Sequence, residues 1–242
     1  MKDRFSGYAS RYAAFRPKYP SGLFDFVFDQ VRSFDLAWDA GTGNGQAAEV
    51  LATKFRKVLA TDISQKQLEQ AAKKDNIVYE LTGEATSLTA KSVDLVTVAQ
   101  AIHWFDRKRF YDEVNRAAKP GAVIAAWAYG LLKLSPAIEP LVERFYGEVV
   151  GPFWDPERKL IDERLATIEF PFEQIPSPEF SMRFTWSLSE LEGYLGTWSA
   201  TQRYIAAHQF NPVIELMDAI MKLQTADKLS VEFPLYLRIG RV

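Results

Sequence analysis

The sequence predicts an α/β protein built on an open, mostly parallel sheet, and three observations carry that prediction. Short apolar runs alternate with helical patterns from Leu36 to Trp127. The runs are nearly continuous in apolar character, as strands buried on both faces must be. A glycine-rich turn, Asp39 to Gly45, joins the first run to the helix behind it.

Taken in order, the opening stretch from Phe5 to Pro20 is polar-aromatic, and Pro17 and Pro20 end any helix within it. Ser21 is then placed to cap a helix whose apolar residues Leu23, Phe24, Val27, Phe28 and Val31 recur at helical spacing. Leu36-Ala37-Trp38 forms the first strand, ending in Asp39, and Gln46 to Phe55 the helix beyond the glycines. Val58 to Thr61 forms the second strand, ending in Asp62, with Ser64 capping a helix through Ala72. Ile77 to Leu81 and Val93 to Ala99 are the third and fourth strands. Phe105 to Ala118 reads as a helix, Lys119-Pro120-Gly121 as a turn, and Ala122 to Trp127 as the fifth strand.

The pattern changes beyond Trp127. Residues 130 to 180 hold several prolines, an amphipathic helical piece over Ile138 to Val149, and loops. Alternation in Phe180 to Trp186 and Val231 to Ile239 predicts a late pair of strands. Helices over Leu188 to His208 and Pro212 to Lys222 separate them. With no repeat, low-complexity tract or linker, residues 1–242 read as a single domain. Its expected parts are an N-terminal cap segment (1–34), a core (35–128), and a cap with closing strands (129–242).

Composition narrows the function. A net charge of -2 gives no electrostatic reason to expect nucleic acid or an anionic membrane as partner. The absence of cysteine excludes a disulfide framework, a cysteine-based zinc site and a cysteine nucleophile. Two histidines without an acidic constellation make a poor metal site, so no metal is expected. No signal-peptide core follows the first residues, and no apolar run approaches the roughly 18 residues that cross a bilayer. A cytoplasmic protein is therefore the expectation. Aromatic residues at 14% suit either a well-filled core or a pocket with aromatic walls.

The chemistry centres on Asp39-Ala40-Gly41-Thr42-Gly43-Asn44-Gly45, between a strand and a helix. Lacking Cβ atoms, Gly41, Gly43 and Gly45 let the backbone turn tightly and approach a ligand. The helix behind them presents free N–H groups at its start. Asp62, at the end of the second strand, stands where a carboxylate can accept both hydroxyls of a ribose. Dinucleotide-binding proteins use G-x-G-x-x-G to bring a helix against a pyrophosphate. Here the order is G-x-G-x-G with an acid in front. That suits S-adenosylmethionine, whose amino acid end offers an ammonium to an acid and a carboxylate to backbone N–H groups.

These motifs, with A-T-D-I-S, T-G-E-A-T-S-L, S-V-D-L-V-T-V-A-Q-A-I-H-W-F-D and K-P-G, resemble class I S-adenosylmethionine-dependent methyltransferases. The nearest branch by motif is the small-molecule group that includes trans-aconitate methyltransferases. Y-A-S-R-Y-A-A-F-R-P-K-Y-P near the start and G-T-W-S-A-T-Q-R-Y later resemble that branch too. The resemblance implies a Rossmann-like fold with an antiparallel last strand and a helical cap. It implies that Asp39, Gly41 and Gly43 line the methionine end of the cofactor, that Asp62 holds the ribose, and that Ile63 lies against the adenine. Glu84 and Ala85 would meet the adenine amino group, and Gln100 and Ala101 would face the sulfonium. Tyr12 and Arg16 would close over cofactor and substrate. Ala122 departs from the pattern, since many relatives have a second glycine there.

His103, after the fourth strand, lies at the rim where open α/β sheets place ligands. It is a candidate base for a hydroxyl acceptor, or a residue that shapes the pocket. Trp104 is read as a wall of the site, and His208 as a surface or packed histidine. Trp198, Ser199 and Tyr204 are pocket candidates by resemblance, while Arg11, Arg16 and Arg203 could offer forks to an acidic substrate. The expected reaction is methyl transfer from S-adenosylmethionine to a small molecule, first of all a carboxylic acid. A hydroxyl or amine acceptor, a nicotinamide-dependent oxidoreductase, and a non-catalytic partner protein are the competing readings.

Overall fold

The computed structural model describes residues 17–223 and 227–242. Strands β1 (Leu36–Ala40), β2 (Lys57–Asp62), β3 (Ile77–Leu81), β4 (Val93–Ala99) and β5 (Ala118–Tyr129) are the parallel part of an eight-stranded sheet. The long strand β8 (Lys228–Arg241) runs antiparallel along β5. On its other edge lie β6 (Glu173–Gln174) and β7 (Phe180–Ser187), giving the order β3-β2-β1-β4-β5-β8-β6 with β7 also on β8. From β1 the chain winds outward first through β2 and β3, then through β4 and β5 on the opposite side. That reversal opens a crevice at the carboxyl ends of β1 and β4.

Both faces of the sheet are covered. On one face α1 (Ser21–Asp29) and α2 (Gln46–Leu51) pack Leu23, Phe24, Val27, Ala48 and Leu51 against Val58, Leu95 and Trp127. On the other, α4 (Arg107–Ala117) sets Phe110 and Val114 beside Trp38, Val96 and Ile124. Leu23, Trp38, Leu95, Phe110 and Trp127 are completely buried. Burying side chains of this size contributes roughly 1.5–3 kcal/mol each. Among the described residues no helix is long and apolar enough to cross a membrane.

Several elements depart from the pattern in the sequence. Ser21 is the first helical residue rather than the cap: Pro20, extended at φ -71 and ψ 144, takes the N-cap place without a side-chain bond. The helix capped by Ser64 is short, α3 (Gln65–Glu69), although Ser64 Oγ does accept from the Gln67 N–H at 3.4 Å. Lys119-Pro120-Gly121 falls within β5 as a bulge: Ala118 pairs with Val93 and Val123 with Leu95, so the residues between them bow out of the ladder. Gly121, at φ 78, donates its N–H to the Val242 carbonyl there. The amphipathic piece after Ile138 begins as α5 (Glu139–Arg144) and widens into a π turn over Phe145–Val149.

The expected helix over Leu188–His208 is two helices, α7 (Leu188–Gly196) and α8 (Ser199–His208). A capping box between Ser187 and Glu190 starts α7. It ends where Thr197 Oγ1 donates to the Tyr194 carbonyl at 2.6 Å and Trp198 turns extended. A further short helix, α6 (Arg158–Asp162), lies within the stretch of helical pieces and loops expected over residues 130 to 180, and α9 (Val213–Leu223) lies near its expected place.

Candidate active site

The loop after β1 and the loop after β4 meet back to back. Gly41 has φ +67, and a Cβ built on it would stand 2.6 Å from the Ala101 Cβ. Only glycine allows both the backbone angle and the approach. Gly43, also left-handed at φ +57, would meet nothing nearer than Gln67 Oε1 at 4.0 Å, so its face of the loop is open to a ligand. Thr42 donates its N–H to the Thr61 carbonyl, which ties the loop to β2.

Beneath this loop Asp39 is completely buried. One oxygen accepts from Thr42 Oγ1 at 2.5 Å and the other from Thr97 Oγ1 at 2.6 Å. Burial pushes its carboxyl up to about 6; the two threonine hydroxyls and the Ala48 N–H oppose the shift, and the charge on Asp62 adds to it. Both oxygens of Asp39 are thus engaged by threonines. Its side chain fastens the glycine loop to β4. Thr42 and Thr97 were not singled out in the sequence, although a threonine within the apolar run Val93–Ala99 is itself a signal of a buried polar contact.

Asp62 ends β2 beside the loop. It accepts the Gly43 N–H at 2.9 Å and the Ser64 N–H at 2.8 Å. Ile63 follows, its Cγ2 3.6 Å from the place of a Cβ on Gly83. Ala85 is exposed and its carbonyl accepts from Thr82 Oγ1. Glu84 is buried, and its carboxylate accepts the Asp106 N–H at 3.0 Å, ahead of α4. Gln100 takes the left-handed conformation at φ 56, which is costly for any side chain but glycine. Two contacts with β5 hold it there. Its N–H donates to the Trp127 carbonyl at 2.8 Å, and its Oε1 accepts the Tyr129 N–H at 3.1 Å. Tyr12, Arg16 and Arg11 lie outside the described residues.

Beyond Gln100 opens a cleft of about 560 Å³, counted to its open mouth. It brings together Gln100, His103, Trp104, Trp198 and Ser199, four of them expected as pocket residues. The break between α7 and α8 is what delivers Trp198 and Ser199 to it. Tyr204 is not among its walls and packs on Phe153 and His208, at ring distances of 5.3 and 4.3 Å. Arg203 is also occupied elsewhere, donating to the Phe153 carbonyl and pairing with Asp155 at 2.6 Å. Trp154, Asp155, Arg158 and Tyr194 complete the walls with Ile161. None of these five was singled out in the sequence.

His103 is 5% exposed, and its Nδ1 is buried without a hydrogen-bond partner. Burial, helped by the charge of Arg158, lowers its pKa to about 3. At neutral pH it is an uncharged imidazole that holds a proton too weakly to serve as a general base.

Comparison with known proteins decides the family. Residues 38–126 match the model of a methyltransferase domain. A methyltransferase of Dictyostelium discoideum is 35% identical over 99% of this chain and 95% of its own length. The chain belongs to the class I S-adenosylmethionine-dependent methyltransferases. A solved structure described as that of a type II methyltransferase from Anaeromyxobacter dehalogenans is 36% identical to this methyltransferase. It superposes with a TM-score of 0.87 over 94% of this chain and 98% of its own. A methyltransferase structure from Bacillus halodurans, 17% identical with a TM-score of 0.52, shares the fold.

S-adenosylmethionine is thus the cofactor, and the site's own chemistry fits it. The loop leaves open space at Gly43, and Asp62 beside it is the acceptor type that a ribose diol needs.

Proposed function

We propose that this methyltransferase esterifies a small carboxylic acid. The observation that carries this reading is the protonation chemistry of the cleft. His103 stays neutral and holds a proton poorly, and Asp155 is engaged by Arg203. A hydroxyl or ammonium acceptor must lose a proton before or during transfer, and neither group is suited to take it. A carboxylate arrives already ionised at neutral pH.

S-adenosylmethionine supplies a methyl group already made electrophilic by its sulfonium. As the carboxylate oxygen bonds to that carbon, the carbon–sulfur bond breaks and its electron pair stays on sulfur, so no proton changes hands. The protein's work is to hold the two partners in line and keep water out. In this reading Gly41, Gly43 and Asp62 hold the cofactor, with Ile63, Glu84 and Ala85 around its base and Tyr12 and Arg16 closing over it. Gln100 and Ala101 border the transfer point, and Trp104, Trp198 and Ser199 enclose the acceptor. Residues 1–242 act as one catalytic unit on a small molecule, with neither nucleic acid nor membrane as partner.

The test is incubation with methyl-labelled cofactor and a panel of small acids. An ester releases its label as methanol in mild alkali. Label that transfers but stays bound in alkali would overturn the ester reading in favour of an amine or hydroxyl acceptor.

A further inference from the structure

Arg158 opens the short helix α6 on the wall of the cleft, with its side chain 18% exposed. One edge of its guanidinium is fixed. Nε donates to the Tyr146 hydroxyl at 2.9 Å and lies 3.5 Å from Asp162 Oδ1, which accepts from that same hydroxyl at 2.6 Å. The plane rests on rings, its carbon 5.4 Å from the Tyr146 centroid and 5.1 Å from that of Trp154. Among the described residues no acceptor bonds its two terminal nitrogens. An oriented cationic fork with its outer edge unused is the geometry that takes a carboxylate side-on.

The remaining surroundings favour a flat ligand. Trp104, Trp154, Trp198 and Tyr194 line the cleft, with Ile161 as its aliphatic member. Trp154 and Trp198 stand 5.5 Å apart at 51°, and Tyr194 meets Trp198 at 85°, so the rings are splayed rather than stacked on one another. The buried, unpartnered Nδ1 of His103 adds a polar point beside them. Such walls could also cage an ammonium, but Arg158 already puts a positive charge there.

We infer that the acceptor is an aromatic or conjugated acid, gripped by Arg158 at one carboxylate edge and by the indole walls along its body. This rests on the acid reading of the site and adds a specificity-determining residue and a shape to it. Bidentate pairing along one edge leaves the outer lone pairs of the carboxylate for the methyl group.

Calorimetry on the protein saturated with S-adenosylhomocysteine tests it, with 2-naphthoate, its saturated counterpart decahydronaphthalene-2-carboxylate, and naphthylmethylammonium as probes. The naphthoate should bind about threefold or more tighter than the saturated acid, and the ammonium should not compete with it. Arg158→Gln should weaken naphthoate about ten- to hundredfold and Arg158→Lys should recover only part of that. Affinity for S-adenosylhomocysteine should not change in either variant, which checks that they fold. Equal binding of both acids, preference for the ammonium, an unchanged Arg158→Gln, or no saturable naphthoate binding would each overturn the inference. Tight naphthoate binding without alkali-labile transfer would instead sink the ester reading and leave the role of Arg158 standing.

Discussion

Asp39→Asn separates the cost of a buried charge from the loss of its bonds. In the unfolded chain this carboxyl titrates near 3.8, and in the fold at about 6. Because the folded value is raised, the favourable contribution is complete below about pH 3.8 and is lost as pH rises through about 6. Roughly two pKa units correspond to about 3 kcal/mol of stability forgone at neutral pH. Asparagine keeps the shape, never ionises, and can still meet the Thr42 and Thr97 hydroxyls, which rotate between donor and acceptor. The variant should therefore be more stable than the parent by about 1–3 kcal/mol at pH 7.5, with the gain gone near pH 3.8. Urea unfolding of both proteins at the two pH values reads the effect. A loss of stability of equal size at both would refute the reasoning, because it would mean the bonds matter and the charge does not.

Other perturbations follow from the same geometry. Gly41→Ala adds a methyl 2.6 Å from the Ala101 Cβ at a left-handed angle, and should cost about 2–5 kcal/mol in denaturant midpoint analysis. His103→Gln should blunt acid lability. The folded pKa of about 3 lies below the ordinary 6.5, so stability present above pH 6.5 is lost as pH falls toward 3 because the unfolded chain takes the proton. Between pH 6.5 and 4.5 the parent should lose about 2 kcal/mol more than the variant, read from unfolding curves at each pH. Equal losses would show that His103 is not held neutral by the fold.

The parallel half of the sheet was legible because burial on both faces writes itself as unbroken apolar runs. Val93–Ala99, buried along nearly its whole length, has the same bounds in sequence and structure. Ile77–Leu81 also keeps its bounds, although as the edge strand it is partly exposed and was legible by its β-branched and aromatic residues. The glycine loop and Asp62 were legible for a similar reason: a backbone that must turn left-handed accepts few residues besides glycine. The cap was harder to read. The break in Leu188–His208 had a signal in Gly196, but the apolar spacing runs on across it, and Thr197 and Trp198 fix the break through their own contacts. Arg158 and Trp154 come together only through the packing of Tyr146, which depends on the π turn over Phe145–Val149. Glu84 illustrates the opposite case, since a motif indicated its position but not the backbone N–H of Asp106 that engages it.

The account stands most directly on what the glycine loop and Asp62 hold. Calorimetric titration with S-adenosylhomocysteine, with NAD as control and Asp62→Ala as comparison, tests that. The predicted result is saturable binding of S-adenosylhomocysteine, weakened about ten- to hundredfold in the variant, and none for NAD. Binding of NAD in its place, or an affinity indifferent to Asp62, would contradict it.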